Sequence, residues 1–330
     1  MHEIRFCQHD ELNLLQDFLT KHWSENHVFT SSTKLLQWQH VNIKDKIINF
    51  VVAYNKNSGE FDAILGFIPT SQYDFNIKNR DIWLAIWQVK EGFASTGIGL
   101  QVLVFLNSNY KASSVGVSGV SEDAMKIYKA FRYKTGILNH FYIKNDSFTD
   151  YSIASFNKIN NVSHSTNSNI DIKQITDEEF LSSNISCQYT PYKTKDYYIN
   201  RYYNNSFYEY TFNAIVIKNT IIGVFITRKI IVDKAACIRI VDWIGDYSKN
   251  LYHEFQKLLQ KNDAEYIDFL CKVPNEDEIS EMGFLEKNND HEVIPNYFEP
   301  FLKKNVNIRF AYKAKEHNYA IFKADSDQDR

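Results

Sequence analysis

Twice along the chain the same order of elements can be read from the side chains: a short apolar strand, helical segments, two strands joined by a turn, a further strand, a helix and a closing strand. That order constrains the fold more than any single motif. Antiparallel hairpins followed by a strand-helix-strand crossover build a mixed sheet with helices packed on it. In the first half Ile4-Arg5-Phe6-Cys7 opens the series, and helical periods follow through Leu12, Leu15, Phe18 and Leu19 and through Leu35, Leu36 and Trp38. Ile48–Tyr54 and Ala63–Ile68 flank Asn55-Lys56-Asn57-Ser58-Gly59-Glu60, a cluster of turn formers, and so predict a hairpin. Ile82–Val89 reads as the next strand, Leu100–Leu106 as a helix, Ser114–Val120 as a strand, Glu122–Phe131 as a helix and Ile137–Ile143 as a final strand.

In the second half Ile170-Asp171-Ile172, a short helix, paired strands at 208–217 and 221–230, and Cys237–Val241 repeat the order. A helix through Leu251, Phe255, Leu258 and Leu259 follows, then a strand at Tyr266–Cys271 and a short helix ending Glu281-Met282-Gly283-Phe284. Between the halves, nine of the fourteen residues 156–169 are Asn, Ser or Thr, with no period through the apolar ones. The expected organisation is therefore an internal duplication, with domains at 1–150 and 170–330 and a polar linker at 151–169. The expected fold is α/β (α+β), each half a mixed, mostly antiparallel sheet flanked by helices.

The 330 residues are 44% hydrophobic and 23% charged, enough apolar surface for two cores. The aliphatic run Ile221–Ile226 is far shorter than the roughly 20 residues of a membrane-spanning helix, so no membrane partner is expected. Met1-His2-Glu3-Ile4-Arg5 lacks the layout of a secretion signal, which predicts a cytoplasmic protein. Cys7, Cys187, Cys237 and Cys271 are scattered without a Cys-x-x-Cys pair, so neither a metal site nor a disulfide framework is expected. A net charge of -3 disfavours an extended nucleic-acid footprint, which needs a basic face to release counterions. Fifty of the 330 residues are aromatic, 21 of them Tyr, side chains that pack a ring while bonding through a polar edge.

The stretch that carries chemistry is Val89-Lys90-Glu91-Gly92-Phe93-Ala94-Ser95-Thr96-Gly97-Ile98-Gly99-Leu100, a strand end running through Gly-x-Gly into a helix. Helix first turns expose unpaired N–H groups and a partial positive charge, so a diphosphate is the natural guest. A dinucleotide-binding fingerprint is excluded, because position 102 is Val and two hairpin strands precede the loop.

This loop resembles the pyrophosphate loop Arg/Gln-x-x-Gly-x-Gly/Ala of the GNAT superfamily of acyl-CoA N-acyltransferases, with Gly97 and Gly99 on the two glycines and Ala94 where the family has Arg or Gln. The resemblance implies an acyl-CoA cradle of backbone amides from Ser95, Thr96, Gly97, Ile98, Gly99 and Leu100. The stretch Ser121-Glu122-Asp123-Ala124-Met125-Lys126-Ile127-Tyr128-Lys129-Ala130-Phe131-Arg132-Tyr133 resembles the later GNAT motif Asn-x-x-Ala-x-x-Leu-Tyr-Glu-Lys-Leu-Gly-Phe, with Ser121 in place of Asn and Arg132 in place of Gly. It implies that Tyr128 lies beside the thioester sulfur, where a phenol can protonate or solvate the expelled thiolate. By the same resemblance the oxyanion falls to the backbone N–H of Val89 or Lys90. For the proton of the attacking amine the candidates are Glu91, Glu25, His22 and His27.

Trp23 and Asn26, with Trp38 and Gln39, crowd the two helices that in GNAT folds lie over the acceptor, a mixture suited to stacking on and bonding a sugar. Arg201, Tyr202, Asp242 and Trp243 in the second half offer a dock for a base or diphosphate. That half has no Gly-x-Gly near Gly245-Asp246-Tyr247-Ser248, and is expected to be a degenerate copy that does not bind CoA. The whole resembles tandem bacterial nucleotide-sugar N-acyltransferases of O-antigen and lipopolysaccharide biosynthesis. That resemblance implies acetyl-CoA or 3-hydroxybutyryl-CoA as donor and a dTDP-linked amino-dideoxy sugar as acceptor, a 3-amino-3,6-dideoxyhexose in particular. The oligomeric state is not legible. Two other readings stay open: a tRNA-dependent peptidoglycan aminoacyltransferase with tandem halves, and a non-catalytic module that binds CoA or a nucleotide sugar.

Overall fold

A computed structural model describes residues 2–25, 27–156, 169–287 and 292–326. The linker expected at 151–169 falls largely on residues 157–168, outside the described residues. The chain divides into two compact units, Met1–Val117 and Ser118–Arg330.

The first unit runs β1 (His2–Gln8), α1 (Leu12–His22), α2 (Val28–Ser31), α3 (Thr33–His40), β2 (Val41–Asn42), β3 (Ile47–Asn55), β4 (Glu60–Pro69), β5 (Asp81–Val89), α4 (Ile98–Tyr110) and β6 (Ser114–Ser118). Its sheet has the order β1-β3-β4-β5-β6, antiparallel throughout except for the parallel pair β5–β6, and β2 adds to the start of β3. The predicted hairpin is β3–β4: Gly59 takes φ +73° in its turn, and its N–H donates to the carbonyl of Asn55 at 2.9 Å. Nine consecutive residues of β4, Phe61 to Pro69, are buried, which requires cover on both faces of the sheet. Helices α1, α3 and α4 all pack on β4 and supply it. From α4 alone Ile98, Val102, Leu103 and Leu106 are buried, each contributing roughly 2 kcal/mol.

The second unit runs α5 (Glu122–Ala130), β7 (Lys134–Ile137), β8 (Asn139–Lys144), β9 (Ile170–Gln174), α6 (Asp177–Ser182), α7 (Lys195–Tyr198), β10 (Thr211–Ile217), β11 (Thr220–Val232) and β12 (Ala235–Gly245). It continues with α8 (Tyr252–Lys261), β13 (Tyr266–Lys272), α9 (Asp277–Glu281), β14 (Leu285–Glu286), β15 (Arg309–Lys313) and β16 (Ile321–Phe322). Its sheet has the order β14-β8-β13-β12-β11-β10-β9, with β16 on β13. Within it β9-β10-β11-β12-β13 repeats the order of the first sheet, including the single parallel pair, here β12–β13. The duplication read from element order is therefore present in the topology.

One predicted strand is divided. Ile137–Ile143 was expected to close the first half as a single strand, but the chain turns at Leu138, whose N–H donates to Ile308 O at 2.9 Å. β7 then pairs with β15, while β8 lies between β13 and β14. Its alternation explains the placement: Phe141 and Ile143 join the main core of this unit, and Tyr142 faces a second cluster with Ile153 and Ile294. A buried ion cluster ties β8 down. Arg239 bonds both oxygens of Asp268 at 3.0 and 2.6 Å, and His140 Nε2 lies 2.9 Å from Asp268 Oδ2.

Candidate active site at the end of strand β5

The pairing of β5 with β6 stops at Leu84↔Val117, while β5 itself runs on to Val89. On that side Ala85–Val89 has no strand partner among the described residues. The amide of Lys90 donates to Asp62 O at 2.9 Å, continuing the bonding towards β4. Because N–H groups of successive strand residues point to opposite edges, the amide of Val89 then points towards the side where pairing with β6 has ended. Of the two amides considered for an oxyanion, Lys90 is thus engaged and Val89 remains.

After Val89 the chain turns through Gly92 (φ +85°), a short turn at Ala94–Thr96, and Gly97 (φ +75°) before α4 begins. Gly97 is needed for its conformation and Gly99 for space. A Cβ on Gly99 would stand 2.7 Å from Val89 Cγ2, whereas one on Gly97 would meet nothing within 4 Å. Thr96 N–H donates to Phe93 O at 3.0 Å, Leu100 N–H to Gly97 O at 3.1 Å, and Ile98 N–H to Thr96 Oγ1 at 3.4 Å. Those three amides of the expected cradle are therefore occupied. Gly97 and Gly99 stand at the start of α4, where first-turn N–H groups lack an intrahelical partner, and their bare backbone leaves a small anion seat. Ala94 brings no side chain to help, and Leu100 is exposed on α4.

Strand alternation sends Trp87 and Val89 to the α4 face and Gln88 to the other. Trp87 Nε1 donates to Gly99 O at 3.1 Å, and Gln88 Nε2 donates to His22 O at 2.7 Å and to Val89 O at 3.1 Å. Gln88 thereby ties the last residue of α1 to the strand end. Partial burial and then the nearby Lys90 ammonium hold the His22 imidazole below its ordinary pKa of 6.5, so the ring is neutral at pH 7. Lys90 itself is raised by its bond to Glu60, 3.0 Å away, and it also faces buried Asp62 at 3.6 Å.

The other candidates are placed as follows. His27 caps α2, its Nδ1 accepting from Phe29 N–H at 3.3 Å. Glu91 and Glu25 are exposed. Trp23 is exposed beyond α1, Trp38 packs half-buried on Tyr73 at 5.1 Å, and Gln39 is buried beside His40. Asn26 lies outside the described residues, as does the side chain of Ser95. In the second unit Ser121 caps α5, its Oγ accepting from Ala124 N–H at 3.3 Å. Tyr128 is buried on α5 with its ring 5.1 Å from that of Tyr133, and burial pushes its phenol well above the ordinary value, so it stays protonated.

The four docking residues expected in the second half are all buried, three of them hydrogen-bonded internally and Trp243 packed among rings. Tyr202 OH donates to Asp242 Oδ2 at 2.6 Å, Asp242 binds the Lys193 ammonium at 2.7 Å, and Arg201 donates to Tyr197 OH at 2.6 Å. Trp243 stacks on Phe225 at 5.4 Å. As folded, these groups hold the second unit together and present nothing to a ligand. Trp87, Gln88 and Lys193 were not singled out from sequence. For the first two the available signal was their position directly before Val89 at a strand end.

No protein-family model matches the sequence, and no curated protein matches it. In fold the chain is similar to a GCN5-related N-acetyltransferase from Anabaena variabilis ATCC 29413, with TM-score 0.56 and 11% identity over 95% of this chain and 72% of that one. It is also similar to a conserved protein of unknown function, a probable N-acyltransferase, from Enterococcus faecalis V583, with TM-score 0.52 and 9% identity over 87% of this chain and 70% of that one. The fold is thus a mixed α/β fold of the GNAT type, with its sheet order present twice. Among the described residues no helix is long and apolar enough to cross a membrane.

Proposed function

We propose that this chain is an acyl-CoA-dependent N-acyltransferase. The observation that supports the reading is the end of β5, where pairing with β6 has stopped before Val89, Gly99 of the glycine seat lies against Val89, and Gln88 bonds the carbonyl of His22, whose ring is neutral. A diphosphate fits that seat because it needs close backbone approach and unpaired N–H groups, and Gly99 leaves the space a Cβ would fill. Acyl-CoA supplies an acyl group activated as a thioester.

The chain's residues then divide the work. The Val89 N–H donates to the oxygen that gains charge as the amine attacks. His22, uncharged, accepts the proton that the amine loses. Tyr128 takes its role from the motif in which it stands: a protonated phenol donates to the departing thiolate. As acceptor we propose a dTDP-linked amino-dideoxy sugar, a 3-amino-3,6-dideoxyhexose, with an acetyl or 3-hydroxybutyryl group transferred, as in O-antigen biosynthesis. Trp23, exposed beyond α1, supports this choice as a ring able to stack on the acceptor.

The test is incubation with acetyl-CoA or 3-hydroxybutyryl-CoA and a panel of amino-sugar nucleotides, followed by liquid chromatography with mass detection. An acylated sugar nucleotide with stoichiometric free thiol is expected. No thiol release with any amine, while CoA still binds, would turn the reading towards a binding module.

A further inference from the structure

In the second unit the register of β12 with β13 covers only Ile238↔Ile267 to Ile240↔Phe269, although β12 runs on to Gly245 and β13 to Lys272. The two strands therefore part beyond Ile240 and Phe269, at the level where in the first unit β5 runs on alone past the end of β6. Here the gap is filled. β16 pairs with β13 through Cys271↔Phe322 and Lys272↔Ile321, and since β8 already holds Cys271 through Asn139 on the other edge, β16 lies on the β12 side. Two residues later Ala324 N–H donates to Val241 O of β12 at 3.0 Å. The segment thus bridges both parted strands.

Every residue from Tyr319 to Ser326 is buried, on both faces, as an inserted strand must be. Its far end is locked by charge: the Lys193 ammonium lies 2.8 Å from Asp325 and 2.7 Å from Asp242, and Arg201 donates to Ala324 O and Ser326 O. Its near end rests on Thr190, with Ala320 N–H donating to Thr190 O at 2.9 Å. The ladder itself is short. Two residue pairs join β16 to β13, against six between β8 and β13.

We infer that Tyr319–Ser326 is a self-ligand, an extended peptide bound by the chain to its own β12–β13 gap, which can leave and re-enter while the sheet stays formed. The second unit is then closed by occupancy. Its opened gap takes a peptide carrying amides at strand spacing, apolar groups at the positions of Ile321 and Phe322, and a carboxylate at that of Asp325 to meet Lys193. The inference goes beyond the acyl-transfer reading and does not use CoA in its test, so either can fail without the other.

Ala324→Pro removes the N–H that reaches Val241 and weakens the inserted strand in the full-length chain. A fluorescein-labelled peptide of residues 319–326 is expected to bind this variant saturably and the unaltered chain not at all. In the variant the buried thiol of Cys271, the ladder partner of Phe322, becomes open to alkylation, mapped by mass spectrometry. A folded variant that binds no peptide and keeps Cys271 protected overturns the inference. Should the variant not fold, hydrogen exchange in the unaltered chain decides: the amides of Ala320, Phe322, Ala324 and Asp325 are expected to exchange together, about tenfold or more faster than those of β12 and β13. Exchange at the same rate as those strands makes the segment ordinary core and overturns it.

Discussion

The indole N–H of Trp87 donates to the carbonyl of Gly99 at 3.1 Å, joining the end of a strand to the first turn of the helix that follows it. The bond holds the helix turn against the strand's side chains with no room for one on residue 99, since the missing Cβ would lie 2.7 Å from Val89 Cγ2. Gly99→Val is expected to lower stability by about 1–3 kcal/mol and to lower CoA affinity more than tenfold. Gly97→Ala strains a φ of +75° without a clash, so it is expected to cost about 1 kcal/mol and retain CoA binding. Thermal melts with and without CoA separate the two; a Gly99→Val chain whose melting temperature still rises with CoA rules the seat out.

Gln88 spans His22 O and Val89 O with one amide nitrogen. Gln88→Met keeps the length and removes the donor. A fall in kcat of roughly 10- to 100-fold with an unchanged KM for acyl-CoA is expected, because the base and the oxyanion donor lose their alignment while the diphosphate seat does not. An equal rise in KM would place Gln88 in donor binding instead.

His22 sets the acid side of the pH profile. Burial and Lys90 depress its folded pKa below 6.5, and the neutral ring is the active form, so kcat/KM is expected to hold as pH falls to 6.5 and to decline only below it. Lys90→Ala removes the neighbouring positive charge and is expected to move that decline to higher pH. A profile whose acid limb ignores both His22→Asn and Lys90→Ala assigns the proton to another group.

Tyr128→Phe removes one hydroxyl from a buried ring. A loss of about 100-fold in kcat with CoA affinity unchanged is expected, since the donor acts as the thiolate forms. Because burial raises the phenol pKa, the unaltered chain is expected to show no loss of activity from this group up to pH 10. Unaltered kcat in the Phe variant ends the assignment.

Lys193 is fully enclosed between Asp242 and Asp325, and although burial alone favours the neutral amine, the two carboxylates outweigh it and raise its pKa. Lys193→Met strands both carboxylates and is expected to cost about 3–5 kcal/mol, read as a drop in the urea midpoint. Adding Asp242→Asn is expected to restore part of that loss, through a coupling a double-mutant cycle measures.

Local elements were legible because their causes sit within a few residues. The Asn55–Glu60 turn, the glycines at 97 and 99, and the apolar spacing of α4 and α8 each carry their own signal, and the repeated order of elements followed from them. Choosing between Val89 and Lys90 was not legible, since it depends on which edge of β5 bonds to Asp62. Nor was the placement of Arg201, Tyr202, Asp242 and Trp243. Polar aromatic residues read equally as a dock or as a satisfied interior, and only the approach of Lys193 and Ala324 from distant parts of the chain decides for the interior.

From side-chain periodicity alone came the strands, the helices, the loop between β5 and α4, and the doubling of the pattern. Which strand lies beside which came from the tertiary structure: β8 beside β13 rather than with the first half, and Tyr319–Ser326 wedged between β12 and β13. Alternation marks a strand and its buried face but carries no address for its partner. Pairing across more than a hundred residues is settled by competition among whole sheets for apolar faces and buried charges, a property that no local stretch of sequence holds.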